Sequence, residues 1–421
     1  MEPIEIKDGD LLLRGWRPAD AAAVHRACQD ADIQRWTNVP VPYRLGDAEW
    51  FVGNAPAAWA SDRQAPLGIF DAHTGELLGS NGLVSIDRAA GVGELGYWTA
   101  PWARGRGVAE RSSRAVARWA LGNGPGQLGL ARLVWRADPG NHASRLVALR
   151  AGFRMEGLLR DDVPARGGGR SESRIGSLLP GEVPENTPVP FLAGGAVARQ
   201  ARLFGGPQPT LDAVTPAGER IALRPLATAD LRATVAACRD PESIRWTTVP
   251  HPHEESDARF FVHEHAPRMW RLGDGAIFAV ADPSGAYAGS MDLRLSLLDP
   301  GVGDVGYLIA PWARGRGYAS AALRAVARWG VEALGLRRIE WCAYIGNDAS
   351  RRVAEKAGFT IEGIHRAGCL QRGERRDAWV GAVLADDLRA GDDLRAARNP
   401  RVADQPRAGD DLRTADHIRA T

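Results

Sequence analysis

The chain has 421 residues, 44% hydrophobic and 25% charged, which is too long for one ordinary core and globular in composition. Its formal net charge of +2 excludes a broad electrostatic footprint for nucleic acid or an anionic membrane, so any phosphate recognition must be local. No apolar run approaches the roughly 18 residues of a membrane helix, and the N-terminus MEPIEIKDGD lacks the basic-then-apolar form of a signal peptide, so a soluble cytoplasmic protein is expected.

Local patterning alternates between strand and helix periods. Ile4–Arg14 reads as a strand or hairpin, Ala19–Asp30 as a helix and Ala48–Ala60 as a second helix. Strands follow near Leu67–Asp71, Leu77–Ile86 and Gly93–Thr99. Val108, Ser112, Ala115, Val116, Trp119 and Ala120 then fall on one helical face. A strand near Leu133–Ala137, a helix near Ala143–Ala151 and a terminal strand or hairpin at Glu172–Leu179 complete the series. Helices dispersed among strands predict an α/β (α+β) sheet with helices packed against it.

The series then recurs. Leu13-Arg14 returns as Leu223-Arg224, Asp20 as Asp230, Arg35-Trp36-Thr37 as Arg245-Trp246-Thr247, and the heptapeptide PWARGRG at 101–107 as itself at 311–317. Asn141, Ser144 and Arg145 match Asn347, Ser350 and Arg351, and Ala151-Gly152-Phe153 matches Ala357-Gly358-Phe359. A period of roughly 200 residues is far too long for a solenoid unit, so a whole domain is duplicated. The first copy spans 1–180 and the second 211–390. Between them, 181–210 is a Pro/Gly/Ala-rich linker with a short helix around Ala196–Leu203. A polar tail, 391–421, completes the RAGDDLR repeat seen at 389–395 and 407–413.

Cys28, Cys238, Cys342 and Cys369 show no CxxC spacing, so neither a zinc site nor a disulfide framework is expected, and no metal is. Cys28 and Cys238 are repeat-equivalent and read as small buried side chains.

PWARGRG carries the chemistry. A strand runs into Pro101, then Arg104-Gly105-Arg106-Gly107, then an amphipathic helix. The first turn of such a helix has N–H groups without intrahelical partners and a partial positive charge, so it favours an anion. Gly105 and Gly107 let the anion approach the backbone, and Arg104 and Arg106 add cationic donors. Neither a Walker A loop nor a Rossmann fingerprint fits: Glu110 and Ser320 stand where the latter needs Gly or Ala. One copy alone would also read as an ordinary glycine-rich turn; the second, in the same context, favours function.

The pattern R-x-x-G-x-A, met by Arg104-Gly107-Ala109 and Arg314-Gly317-Ala319, resembles the acyl-coenzyme A pyrophosphate loop of the GNAT N-acetyltransferases. N-x-x-S followed by A-G-F resembles the segment that completes the coenzyme site there. RWTxVPxP with a following Asp-Ala pair, and GELGYW at 93–98, is most similar to the RimJ/RimL-like branch, which acetylates protein N-termini and small amines. The resemblance implies two tandem domains, each a mixed, mostly antiparallel, splayed sheet flanked by helices. It also implies acetyl-CoA as co-substrate and an amine-bearing peptide or small molecule as acceptor, with no nucleic acid or membrane partner. Two such domains would form an intramolecular pseudo-dimer.

By that resemblance the coenzyme would lie against Tyr97, Trp98, Thr99, Arg104, Gly105, Arg106, Gly107, Val108, Ala109 and Asn141 in the first copy. In the second it would lie against Tyr307, Leu308, Ile309, Arg314, Gly315, Arg316, Gly317, Tyr318, Ala319 and Asn347. Glu94 and Asp304 read two ways, as the group taking the amine's proton or as solvated strand residues. Ser144 and Ser350 read as catalytic donors to the departing sulfur or as helix N-caps. Trp36 and Trp246 read as walls of the acceptor cleft, binding substrate, or as core. Two other readings stand beside this one: one half is structural or regulatory, or the chain binds coenzyme as a sensor without turnover. The acceptor ends differ more than the loops: the first copy has Asp161 and Asp162 where the second has His365 and Cys369.

Overall fold

The computed structural model describes residues 1–166, 168–188, 191–192 and 194–388; the tail expected at 391–421 lies outside the described residues. The chain divides into two compact units, the first ending at Leu192.

Unit one opens with the strands β1 (Ile6–Asp8) and β2 (Leu11–Arg14), then the helices α1 (Ala21–Cys28), α2 (Ala31–Trp36) and α3 (Leu45–Ala60). Next come β3 (Ala65–Asp71), β4 (Leu77–Asp87), β5 (Val92–Thr99), α4 (Val108–Leu121), β6 (Arg132–Ala137), α5 (His142–Arg150), β7 (Arg154–Pro164) and β8 (Arg170–Leu178). The sheet order is β1-β2-β3-β4-β5-β6-β8-β7. Every neighbouring pair is antiparallel except β5 with β6, which α4 joins as a crossover.

Unit two begins with α6 (Ala196–Phe204) and repeats this plan. Its elements are β9 (Leu211–Val214), β10 (Arg220–Pro225), α7 (Leu231–Cys238), α8 (Pro241–Trp246), α9 (Glu255–Phe260), α10 (Ala266–Leu272), β11 (Gly275–Ala281) and β12 (Tyr287–Leu295). Then follow β13 (Val302–Ile309), α11 (Tyr318–Glu332), β14 (Arg338–Tyr344), α12 (Asp348–Ala357), β15 (Thr360–Gln371) and β16 (Glu374–Leu384). Again one pair is parallel, β13 with β14. Where α3 is continuous, α9 and α10 are parted by a π turn at Phe261–His265, next to Pro267, which has no N–H to give to the carbonyl four residues back.

Two expectations need correction in detail. The helix expected over Ala19–Asp30 breaks after Cys28, because the Asp30 carboxylate accepts from the N–H groups of Asp32 and Ile33 at 3.1 and 3.0 Å and so starts a new helix, α2. The terminal strand or hairpin expected at Glu172–Leu179 is a hairpin, but a longer one: its first arm, β7, begins at Arg154, and Glu172–Leu178 belongs to its second arm.

The core of each unit lies between the sheet and the crossover helix. Leu67, Leu83, Leu95, Val116, Leu133 and Trp135 are buried in unit one, and Met291, Leu293, Val305, Leu323, Val326 and Trp341 in unit two. The A-G-F motif is a helix stop and core anchor. Gly152 and Gly358 take left-handed φ of 102° and 99° after α5 and α12. Phe153 and Phe359 are then buried, contributing roughly 1.5–3 kcal/mol each. Cys28 and Cys238 are buried as expected, and burial pushes both thiols up to about 11.

The stretch expected as a linker, 181–210, packs at both ends. Arg118 donates to the Pro184 carbonyl at 3.1 Å in unit one, while in unit two Phe204 meets Trp270 edge-on with ring centroids 4.7 Å apart. Among the described residues no helix is long and apolar enough to cross a membrane.

Candidate active site

The loop expected to hold a phosphate is built from the chain upward. After β5 a 3-10 turn at Pro101–Ala103 buries Ala103, and the Trp102 indole N–H donates to the Leu77 carbonyl at 2.8 Å. Gly105 and Gly107 then take φ of 76° and 71°, left-handed values that an L side chain resists, and Gly107 is the N-cap of α4. In unit two Gly315 and Gly317 take 78° and 80° ahead of α11. A Cβ added at Gly105, Gly107 or Gly315 would meet no atom within 4 Å. Open space over Gly105, Gly107 and Gly315, beside the first-turn N–H groups of a long helix, fits an anionic diphosphate, while at Gly317 a Cβ would meet Pro216 Cδ at 3.0 Å.

The loop arginines are already engaged. Arg104 pairs with Asp30 and, at 3.3 Å, with Asp32; Arg314 donates to Asp240 at 2.6 Å and to Ser243 Oγ at 3.0 Å. Arg106 lies 3.9 Å from Asp71, and Arg316 pairs with Glu219 at 2.8 Å.

Beside the loop the sheet forks. The ladder between β5 and β6 ends at Leu95 opposite Trp135, and that between β13 and β14 ends at Val305 opposite Trp341. Beyond those points Gly96–Thr99 and Gly306–Ile309 have no strand on that side among the described residues, which is the splay expected for an added ligand chain. A hydroxyl cluster stands in each fork. The Tyr97 OH and Ser144 Oγ are 3.0 Å apart, and the Trp135 indole donates to Ser144 Oγ at 3.1 Å. The Tyr307 OH and Ser350 Oγ are 2.9 Å apart, with the Trp341 indole donating to the tyrosine at 3.2 Å. Burial raises both tyrosine pKa values, so each phenol holds its proton. The N-cap reading of Ser144 and Ser350 is corrected: the caps are Asn141 and Asn347, whose side chains accept from the serine N–H groups at 3.0 and 3.1 Å.

Glu94 lies on β5 with 26% of its side chain exposed and accepts from Arg136 at 3.1 Å. Burial raises its pKa, with Arg136 opposing and Asp162 adding to the rise. Asp304, on β13, is 47% exposed and held by Arg294 through Nε at 2.9 Å and through Nη2. Trp36 and Trp246 end α2 and α8 half-buried, outside both cores, with Arg35 and Arg245 over their rings. The β7–β8 hairpin loop reaches this segment through Arg166, which donates to the carbonyls of Thr37 and Val39 at 2.6 Å. In unit two Gln371 does the same to Arg245 and Thr247 at 3.0 Å. The resulting cleft in unit two, about 1780 Å³, is lined by Trp246, Asp292, Asp304, Tyr307, Arg314 and Cys342 among others.

The profile of the acetyltransferase (GNAT) domain matches residues 10–154 and 220–360, one copy in each unit. The chain belongs to the GNAT acetyltransferase family. Among curated proteins it is similar to YdaF of Bacillus subtilis (strain 168), provisionally named a ribosomal N-acetyltransferase, with 39% identity over 74 residues, 18% of this chain and 40% of that protein. It is also similar to the uncharacterized N-acetyltransferase YoaA of the same organism, with 36% identity over 81 residues, 19% of this chain and 46% of that protein. The chain thus spans less than half the length of either relative. Among solved structures, Mycobacterium smegmatis RimJ in complex with CoA-disulfide shares 23% identity over 43% of this chain and 89% of that chain, with a TM-score of 0.39.

Within these GNAT units, two features escaped the sequence. Asp292 on β12 enters the cleft of unit two where unit one has Gly82, and nothing in its local pattern marks it. Cys342 and Cys369, 27 positions apart in sequence, bring their Sγ atoms to 3.5 Å, and burial pushes the Cys342 thiol up to about 12. Among the described residues no group of three or more His, Cys, Asp or Glu is placed to hold a metal.

Proposed function

We propose that the chain is an acetyl-CoA-dependent N-acetyltransferase with two coenzyme sites, acting on a primary amine of a protein or peptide N-terminus or of a small molecule. The observation that supports this best is the twice-built cradle, a left-handed glycine pair at the head of a long helix beside a forked sheet, open over Gly105, Gly107 and Gly315 and narrowed at Gly317 by Pro216. The coenzyme supplies an activated acyl thioester. Gly105, Gly107 and the α4 N-terminus, or Gly315, Gly317 and that of α11, would hold its diphosphate, and Gly96–Thr99 or Gly306–Ile309 would receive its pantetheine arm as an added strand. The amine attacks directly. Glu94 in unit one and a carboxylate of unit two take its proton, and the Tyr97–Ser144 and Tyr307–Ser350 hydroxyl pairs donate to the leaving sulfur. The provisional ribosomal role in YdaF's name makes a ribosomal-protein amine the first acceptor to assay.

The acceptor ends differ between the units, so the two sites would serve different amines. Calorimetric titration with acetyl-CoA should give two sites per chain, falling to one in Gly107→Val and in Gly317→Val. Thiol release with an amine panel then separates the alternatives. Loss in one variant alone means a single active half, and binding without any release would end the enzyme reading in favour of a sensor.

A further inference from the structure

Over Gly96 in unit one lies a valine, whereas over the matching Gly306 in unit two lies a carboxyl group. In unit one the β4–β5 ladder slips between Leu83 and Ser85, and Val84 brings its Cγ1 to 2.5 Å from where a Gly96 Cβ would stand. In unit two β12 runs unbroken along β13 with Asp292 opposite Gly306, and Asp292 Oδ1 stands 2.7 Å from that same position. The exchange is not free. Gly82, the counterpart of Asp292, has no room for a side chain, because a Cβ there would run into the Ala65 carbonyl oxygen.

Asp292 and Asp304 share one arginine unequally. Arg294 grips Asp304 through two nitrogens, while its Nη1 comes only to 3.7 Å of Asp292 Oδ2. Asp292 Oδ1 is withdrawn from solvent with no donor in good hydrogen-bond geometry, the neighbouring Gly306 N–H giving it only a weak contact. A carboxylate oxygen in that state costs stability until a donor reaches it. It sits beside Gly306, immediately before Tyr307–Ile309 and just past the point where the ladder to β14 ends.

We infer that Asp292, and not Asp304, accepts the proton of the attacking amine in unit two. This rests on the acetyltransferase reading above. The amine nitrogen bonds to the thioester carbonyl carbon as the carbon–sulfur bond breaks. Its proton passes to Asp292, and the thiolate takes a proton from the Tyr307–Ser350 pair, giving an amide and a free thiol. Burial raises the Asp292 carboxyl toward useful basicity, and Asp304 adds to this, while Arg294, the Gly306 N–H and His265 oppose it.

The test uses the full chain carrying Gly107→Val, which leaves turnover to unit two, with acetyl-CoA and the best amine of the panel. Asp292→Asn, of the same shape, should lower kcat by about 100-fold, the order expected for losing a general base. Acetyl-CoA affinity and melting temperature should stay near those of the parent, and Asp304→Asn should cost less than about fivefold by the same reasoning. Asp292→Ala, read the same way, guards against an idiosyncratic effect of the amide. Parent-like turnover in both Asp292 variants overturns the inference while leaving the acetyltransferase reading intact. A loss confined to coenzyme affinity, or a larger loss in Asp304→Asn, overturns it as well. No thiol release in the Gly107→Val chain, when the unaltered protein turns over, also overturns it. A protein that binds acetyl-CoA and never releases thiol overturns both readings.

Discussion

Arg314 donates to the carboxylate of Asp240 at 2.6 Å, which ties the first arginine of the glycine loop to the N-cap of α8. Unit one repeats the tie between Arg104 and Asp30, the N-cap of α2. The two aspartates therefore do two things at once: they cap a six-residue helix and hold a guanidinium at the edge of the cradle.

A phosphate group would compete with Asp240 for Arg314. Asp240→Asn keeps the capping oxygen, since asparagine caps as well as aspartate, and removes the competing charge. Partly exposed pairs of this kind are worth about 0.2–1 kcal/mol, so acetyl-CoA affinity at unit two should rise by roughly one and a half- to fivefold. Calorimetric titration of the Gly107→Val chain measures it. A weaker affinity would mean instead that Asp240 aims Arg314 at the ligand.

The same pairs set an acid limit on stability. Burial would raise the Asp30 and Asp240 carboxyls, but the paired arginines and the capping N–H groups outweigh it, and both end below the ordinary value of 3.8. A depressed carboxyl contributes stability that is present above its unfolded pKa and lost as pH falls through the folded one. Urea midpoints should therefore hold from neutral pH to about pH 4 and fall below it. The doubly substituted Asp30→Asn, Asp240→Asn chain should show a shallower fall over that window.

Much of this was legible in the sequence because it is local or repeated. The glycine pair, the amphipathic helix after it and the strand before it are short-range patterns, and their recurrence favours function over an accidental turn. What was hidden is what non-local geometry decides. Arg104 meets Asp30 across 74 positions, so loop arginines that read as free cations are paired. Whether Val84 or Asp292 covers the cleft glycine depends on a one-residue slip in a ladder, which no periodicity announces. Ser144 read equally as a donor to sulfur or as a cap; Asn141 three residues earlier takes the capping role and leaves the serine hydroxyl to Tyr97.

That division of labour predicts different phenotypes for neighbouring residues. Asn141→Ala removes the oxygen that accepts from the Ser144 N–H and should cost about 1 kcal/mol of stability. Tyr97→Phe removes a hydroxyl from the fork with no cap at stake. It should leave acetyl-CoA affinity near that of the parent and slow unit-one thiol release by roughly 10- to 100-fold if the phenol protonates sulfur. Chemical denaturation and single-turnover kinetics on the two variants separate the effects. Equal stability loss in both with no rate effect in Tyr97→Phe would reduce the hydroxyl pair to scaffolding.

Glu94 offers the sharpest pH test. Burial raises its carboxyl, Arg136 pulls it back from 3.1 Å, and Asp162 pushes it up again. As the proton acceptor of unit one it works ionised, so thiol release in a Gly317→Val chain should fall as pH drops through its pKa, above the ordinary 4.5 of a glutamate. Glu94→Gln should remove that limb and about 100-fold of the rate. Arg136→Met removes the opposing charge, raises the Glu94 pKa further and should move the acid limb of kcat/KM to higher pH. A limb that stays in place in Arg136→Met belongs to some other group, and Glu94 would then be no more than the arginine's partner on β5.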